Sequence, residues 1–385
     1  MRGQQVSAWR IPLFDTRFGP EEEAAVLRPL RAGWLTMGDE VVELENEIRE
    51  ITGARHAIAV TNCTSALQLA SAALGLGPGD EVIAPSLTFV ATANAPRSLG
   101  ATVRLAEVTS AQDLCIDPES IEALITPRTR AIFVVHFAGF PCRMGEITAL
   151  ADEHGIPVVE DAAHAVFGRH EGRTLGLHGK IGCYSFYSNK NATCGEGGAL
   201  VTDDDELGQQ LRLLRSHGMT TPTLDRHRGR ATSYDVVMPG FNMRLDEIRA
   251  ALLRVQLGRL PGSLKRRREL FRLYAEALAG TKVELPFRGG RFEREPDEAA
   301  VHILPVLLPE GSDRAAVMAR MKAAGIQTSI HYPPVHHFAC YATPHDACPR
   351  TTALAARELT LPFYPTLPDD EVPVVVEALL RSLEH

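Results

Sequence analysis

The sequence predicts an α/β fold: a large domain with a mostly parallel seven-stranded sheet sandwiched by helices, plus a smaller C-terminal α+β domain. Three observations carry this expectation. Short apolar runs alternate with helix-like stretches from residue 56 to about 217, the pattern of helices packed on both faces of a parallel sheet. The run Ala131-Ile-Phe-Val-Val-His136 is continuously apolar, as a strand buried on both faces must be. After Gly240 the texture changes to longer helical patterns with isolated strands. We therefore divide the chain into 1–255 and 256–385, joined by a long connecting helix.

The elements follow in order. His56–Val60 reads as a strand and Ser65–Leu74 as a helix, stopped by Gly75 and the Gly77-Pro78-Gly79 turn. Glu81–Ala84 is a strand, Phe89–Leu99 a helix, Thr102–Val108 a strand and Pro118–Ile125 a helix. Beyond the run at 131–136, Glu146–His154 is a helix ended by Gly155, and Pro157–Asp161 a strand. Cys183–Tyr187 and Ala199–Thr202 complete the set of strands. In the second part, Leu245–Leu260 and Leu264–Leu278 are separate helical patterns. Val301–Leu308 is a strand, Arg314–Ala324 a helix, Gln327–His331 a short strand and Asp370–Leu383 a closing helix.

Composition narrows the function classes. Of 385 residues 45% are hydrophobic and 23% charged, and the net charge is -8. That balance argues against a disordered chain and against general binding to nucleic-acid backbones. The seven cysteines are odd in number and form no C-x-x-C pair, so neither a disulfide framework nor a zinc cassette is expected. The start, Met1 to Val6, lacks the apolar core of a signal peptide. No uncharged run is long enough to span a bilayer. A cytoplasmic protein without membrane partners is expected.

Ligands of open parallel sheets bind beyond the carboxyl ends of the strands. After strand 56–60 comes Thr61-Asn62-Cys63-Thr64-Ser65, leading into a helix. Its first-turn N–H groups suit a phosphate, although an ordinary helix cap gives the same pattern. Asp161 ends the strand 157–161 and needs a cationic or hydrogen-bonding partner, or else caps the next segment. Lys190 lies in a polar loop after strand 183–187. A lysine there can lose its proton and attack a carbonyl carbon, or be a solvated loop residue. In this order the three fit pyridoxal 5'-phosphate: donors for its phosphate, a carboxylate for its ring nitrogen, an amine for its aldehyde.

Longer motifs carry a resemblance. They are Gly33-Trp34-Leu-Thr-Met-Gly38, Gly77 to Val82, Pro85 to Thr92, Glu160-Asp161-Ala-Ala-His164, Ser185 to Asn191, Gly240-Phe-Asn-Met-Arg244 and His331-Tyr332-Pro333. The chain resembles the DegT/DnrJ/EryC1/StrS nucleotide-sugar aminotransferases, of the aspartate aminotransferase-like fold type I class. The resemblance implies that Lys190 bonds the cofactor, Asp161 holds its ring nitrogen and His164 lies near its ring oxygen. It also implies that Phe89 stacks on the ring and that Thr64, Ser65 and Ser185 bind phosphate. Asn242 would reach the phosphate site of a neighbouring subunit, implying a homodimer with shared active sites. Trp34, Arg244, His331 and Tyr332 would meet substrate.

Implied also are an L-glutamate donor and a nucleotide-linked keto-sugar acceptor. Family members that dehydrate sugars carry His at position 190, so Lys190 favours transamination. The segment Asp225-Arg-His-Arg-Gly229, with Tyr234-Asp-Val236, resembles enzymes that aminate C4 of NDP-4-keto-6-deoxyhexoses; a 3-keto substrate is the alternative. A silent regulatory relative would have lost Lys190 or Asp161. Sulfur transfer would use a mobile cysteine such as Cys340 or Cys348. A nucleotide-binding module would carry a Walker loop, and this sequence has none.

Two departures from the family pattern stand out: Cys63, where a smaller residue is usual, and Glu107-Val108 after the third strand. The run Lys265-Arg-Arg-Arg268 is expected to be a solvated helix face, or the edge of a nucleotide site. His331, His336 and His337 lack the spacing of a metal site.

Overall fold

The computed structural model of the chain describes residues 9–221, 223–292, 299–341 and 347–384. The reading of Met1 to Val6 falls outside them. Seven strands form one sheet: β1 (His56–Val60), β2 (Glu81–Pro85), β3 (Thr102–Ala106), β4 (Thr129–Val135), β5 (Val158–Asp161), β8 (Ile181–Ser185) and β9 (Gly198–Thr202). A two-stranded ribbon, β6 (Arg169–His170) and β7 (Arg173–Thr174), lies between β5 and β8 in the chain. The sheet order is β1-β9-β8-β5-β4-β2-β3. Only β9 runs against its neighbours, so the carboxyl ends of the other six share one edge.

Side-chain alternation divides each strand between two cores. From β1, Ala57 and Ala59 join a cluster with α2 (Asp39–Thr52) and α9 (Glu247–Ala277). Ile58 and Val60 join the other, with α3 (Cys63–Ala73) and α7 (Asp205–Arg215). The remaining helices before α9 are α1 (Pro20–Ala32), α4 (Ala91–Ser98), α5 (Pro118–Leu124), α6 (Met144–His154) and the short α8 (Thr223–His227). The C-terminal part pairs β10 (Leu304–Leu307) with β11 (Glu358–Leu361), antiparallel. α10 (Arg314–Ala323), α11 (Pro349–Arg357) and α12 (Glu371–Leu383) complete it.

The structure corrects several expectations. The strand expected at 183–187 is Ile181–Ser185, and its last two expected residues belong to the lysine loop. The patterns 245–260 and 264–278 are one helix of 31 residues, with Pro261 inside; packing on both sides overrides the proline. The expected strand 327–331 reduces to a single bridge, Ser329 to Thr360. Helices α1, α2, α7 and α11 and strand β11 have no counterpart among the sequence expectations.

The run 265–268 is no solvated face. Arg267 is buried and donates to the His302 and Phe363 carbonyls, Arg266 binds the Leu367 carbonyl and Asp369, and Arg268 binds the Ala299 carbonyl. Only Lys265 is exposed. Glu107 gains a structural account: it accepts from the N–H groups of Arg350 and Thr351, at the first turn of α11.

Candidate active site

The carboxyl edge of the sheet opens into a cavity of about 470 Å³. Its wall includes Thr64, Phe89, Asp161, His164, Ser185, Lys190, His331 and Tyr332. Eight of the twelve expected site residues, spread from position 64 to 332, thus meet there.

Each is held by its element. Asp161 ends β5 and is buried. The Thr92 hydroxyl, on the first turn of α4, donates to its Oδ2 at 2.7 Å, and the Ala163 N–H donates to its Oδ1 at 3.1 Å. Burial pushes this carboxyl up, and those donors together with Lys190 pull it back. At the head of α3, Asn62 caps the Ser65 N–H at 2.9 Å. The other N–H groups of a first turn have no partner within the helix, and Thr64 faces the cavity. A Cβ on Gly198 would lie 2.5 Å from the Asn62 carbonyl carbon and 2.7 Å from the Cys63 nitrogen, so glycine lets β9 back this turn.

Lys190 follows β8, its N–H bonded to the Tyr187 carbonyl at 2.9 Å. Burial pulls its amine down to about 8, against the opposing charge of Asp161. His302 approaches it, Nε2 to Nζ, at 3.4 Å. His164 Nδ1 accepts the Ala138 N–H at 3.3 Å, which leaves the proton on Nε2, 2.9 Å from the Tyr332 hydroxyl. Burial, reinforced by Lys190 and His331, pushes His164 well below its usual range. His331 donates from Nδ1 to Thr360 Oγ1, which donates to buried Glu358. Burial lifts that carboxyl to about 8.

Four expected residues lie elsewhere in the single chain. Ser65 does not line the wall; its hydroxyl pairs with Thr61 Oγ1 at 2.9 Å. Trp34 packs on His227 with ring centroids 4.5 Å apart. Asn242 is exposed, on a strand-like bridge to Ser216. Arg244 lines a separate cavity of about 620 Å³ with Arg212, Arg215 and Arg228, and its Nη1 is buried without a partner among the described residues. Sequence reasoning missed Thr92, His302, Thr360 and Glu358. Only His302 had a visible signal, an ionisable residue inside the apolar run 301–308.

A family model, that of the DegT/DnrJ/EryC1/StrS aminotransferases, matches residues 17–380. The chain belongs to this family. Among solved structures, DesV from S. venezuelae is 35% identical, with TM-score 0.88, covering 98% of this chain and 99% of its own. The aminotransferase TlmJ from Streptoalloteichus hindustanus is 31% identical, with TM-score 0.88, covering 97% and 99%. Spr1654 from Streptococcus pneumoniae, in its PLP form, is 27% identical, with TM-score 0.89, covering 97% and 98%. The chain is a pyridoxal-phosphate-dependent enzyme of the sugar aminotransferases, with the fold of type I aminotransferases.

The cavity fits that cofactor. Asp161 is a buried acceptor with neutral donors at hand and, among the described residues, no cation at ion-pair distance. A protonated ring nitrogen would supply one. The head of α3, backed by Gly198, suits a phosphate. No helix among the described residues is long and apolar enough to cross a membrane.

Proposed function

We propose that the enzyme moves an amino group from L-glutamate to C4 of an NDP-4-keto-6-deoxyhexose, giving an NDP-amino-deoxysugar and 2-oxoglutarate. The observation that carries this reading is the Lys190 amine, half-buried and drawn down to about 8, in one cavity with Asp161. Pyridoxal phosphate, when bound, supplies an aldehyde for amines and a protonated ring that takes up electron density.

The chain's own residues do the rest. Lys190 takes a proton from the donor's α-carbon and returns one to the acceptor, as general base and then general acid. Asp161, held in place by Thr92 and Ala163, would keep the ring nitrogen protonated. His164, steadied by the Ala138 N–H, would stand near the ring oxygen with a proton on Nε2. Thr64 and Ser185 would bind the phosphate, joined by Ser65 once its hydroxyl turns from Thr61, and Phe89 would cover the ring face. His331 and Tyr332 would meet the sugar, and Trp34 and Arg244, which lie outside this cavity in the single chain, would meet substrate across the shared site of the homodimer, Arg244 taking an anionic group.

The reading includes a cytoplasmic homodimer in which Asn242 reaches the neighbouring subunit's phosphate site. Preference for C4 rests on the segments 225–229 and 234–236. It is tested by offering 4-keto and 3-keto sugar nucleotides with glutamate and analysing the products. Amination of the 4-keto substrate is expected; turnover of the 3-keto substrate alone would overturn it.

A further inference from the structure

His302 stands against the lysine loop, beside Lys190 and Asn191. Its backbone is fixed on both sides: its N–H donates to the Ala138 carbonyl at 2.7 Å, and its carbonyl accepts from Arg267 Nη1 at 2.9 Å. Its ring is fixed by Asn191, the residue after the lysine. Asn191 Nδ2 donates to the Ala300 carbonyl at 2.9 Å, so its Oδ1 must face the other way. That oxygen lies 3.0 Å from His302 Nδ1. An amide oxygen only accepts, so Nδ1 carries the proton. The neutral ring then has a bare Nε2, and this atom faces Lys190 Nζ at 3.4 Å.

We propose that His302 is a positioning residue: its Nε2 accepts an N–H from Lys190 whenever that amine is free, and turns the amine's remaining valences toward the cavity. The inference rests on Lys190 as the acid–base group. The contact is long for a hydrogen bond, as such contacts often are before substrate binds. The ring must stay neutral, since an imidazolium has no acceptor. Its surroundings favour this. Burial, together with Lys190, His164, Arg267 and His331, pushes His302 well below its usual range. Asp161 and Cys63 also face the lysine, whereas the groups acting most strongly on His302 are Lys190, His164, Arg267 and His331.

The test compares His302→Met with His302→Gln. The two side chains have nearly the same shape, and only glutamine offers an acceptor. The first readout is the rate at which the apoprotein captures pyridoxal phosphate, followed by absorbance. His302→Met should slow capture about tenfold, within the hundredfold that a misplaced reacting group can cost, and His302→Gln should restore most of the rate. The second readout is the kcat against KM split: kcat should fall in step with capture while KM for the amino donor holds. Melting curves report folding.

Asn191→Asp provides an independent variant. Its carboxylate would draw a proton onto His302, and capture should slow as it does in His302→Met. Native capture in His302→Met, or equal losses in His302→Met and His302→Gln, would overturn the proposal in favour of simple packing. Failure of all variants and of native protein to transaminate, with capture intact and ordered as expected, would count against the transamination reading and leave this one standing.

Discussion

Lys190 would be fully charged in water at neutral pH, but burial draws its amine down to about 8. The sign of the pH dependence follows. Below that value the ammonium dominates and cannot attack or accept a proton; above it the neutral amine does. Capture of pyridoxal phosphate by the apoprotein should rise about tenfold per pH unit up to about pH 8 and then level off. A stopped-flow series across that range checks it, and a flat profile would contradict the placement of the amine. Asp161 has a different task. Asp161→Asn preserves its volume and removes its charge, so the fold should hold while kcat falls about a hundredfold or more. Unchanged turnover in that variant would remove Asp161 from the chemistry.

At the scale of elements, two contacts set the frame of the site. Glu247, at the start of α9, is buried, and its carboxylate accepts from the N–H groups of Gly38, Glu40 and Val41 at 2.8, 3.0 and 3.0 Å. One side chain thus satisfies the open end of α2 and locks the 33–38 motif to the long helix. Glu247→Gln keeps one acceptor and loses the other, and should cost about 1–3 kcal/mol in urea unfolding. Gly198 controls the other contact. Gly198→Ala would drive a methyl group into the Asn62–Cys63 peptide and push the head of α3 off β9. Cofactor affinity should drop while secondary structure persists, as titration with pyridoxal phosphate alongside circular dichroism would show.

The whole molecule explains which parts of the site the sequence discloses. Asp161 and Lys190 are legible because each follows an apolar strand, and strand ends of a parallel sheet share one edge. The pairing of Thr92 with Asp161 and of His302 with Lys190 is not, because these residues stand 69 and 112 positions apart, and no local pattern encodes such a distance. The joined helix α9 was hidden for a related reason: Pro261 reads as a stop, and only its packing partners show that the helix continues. Surface also carries information beyond the single chain. Phe18, Leu30, Leu35 and Val42 are about half exposed, as are Tyr234 and Val236, and we propose that a partner covers them, as open apolar side chains favour. A second copy is the occupant the shared-site reading requires, with Asn242 of each chain completing the phosphate site of the other. Complementation tests this directly. Lys190→Ala chains and Asn242→Ala chains should each be nearly inactive alone. In a mixed dimer with shared sites, one site collects both defects and the other is native. Random reassortment makes about half of the dimers mixed, so about a quarter of native activity should return. Independent sites would return none, because every site would still carry one of the two substitutions.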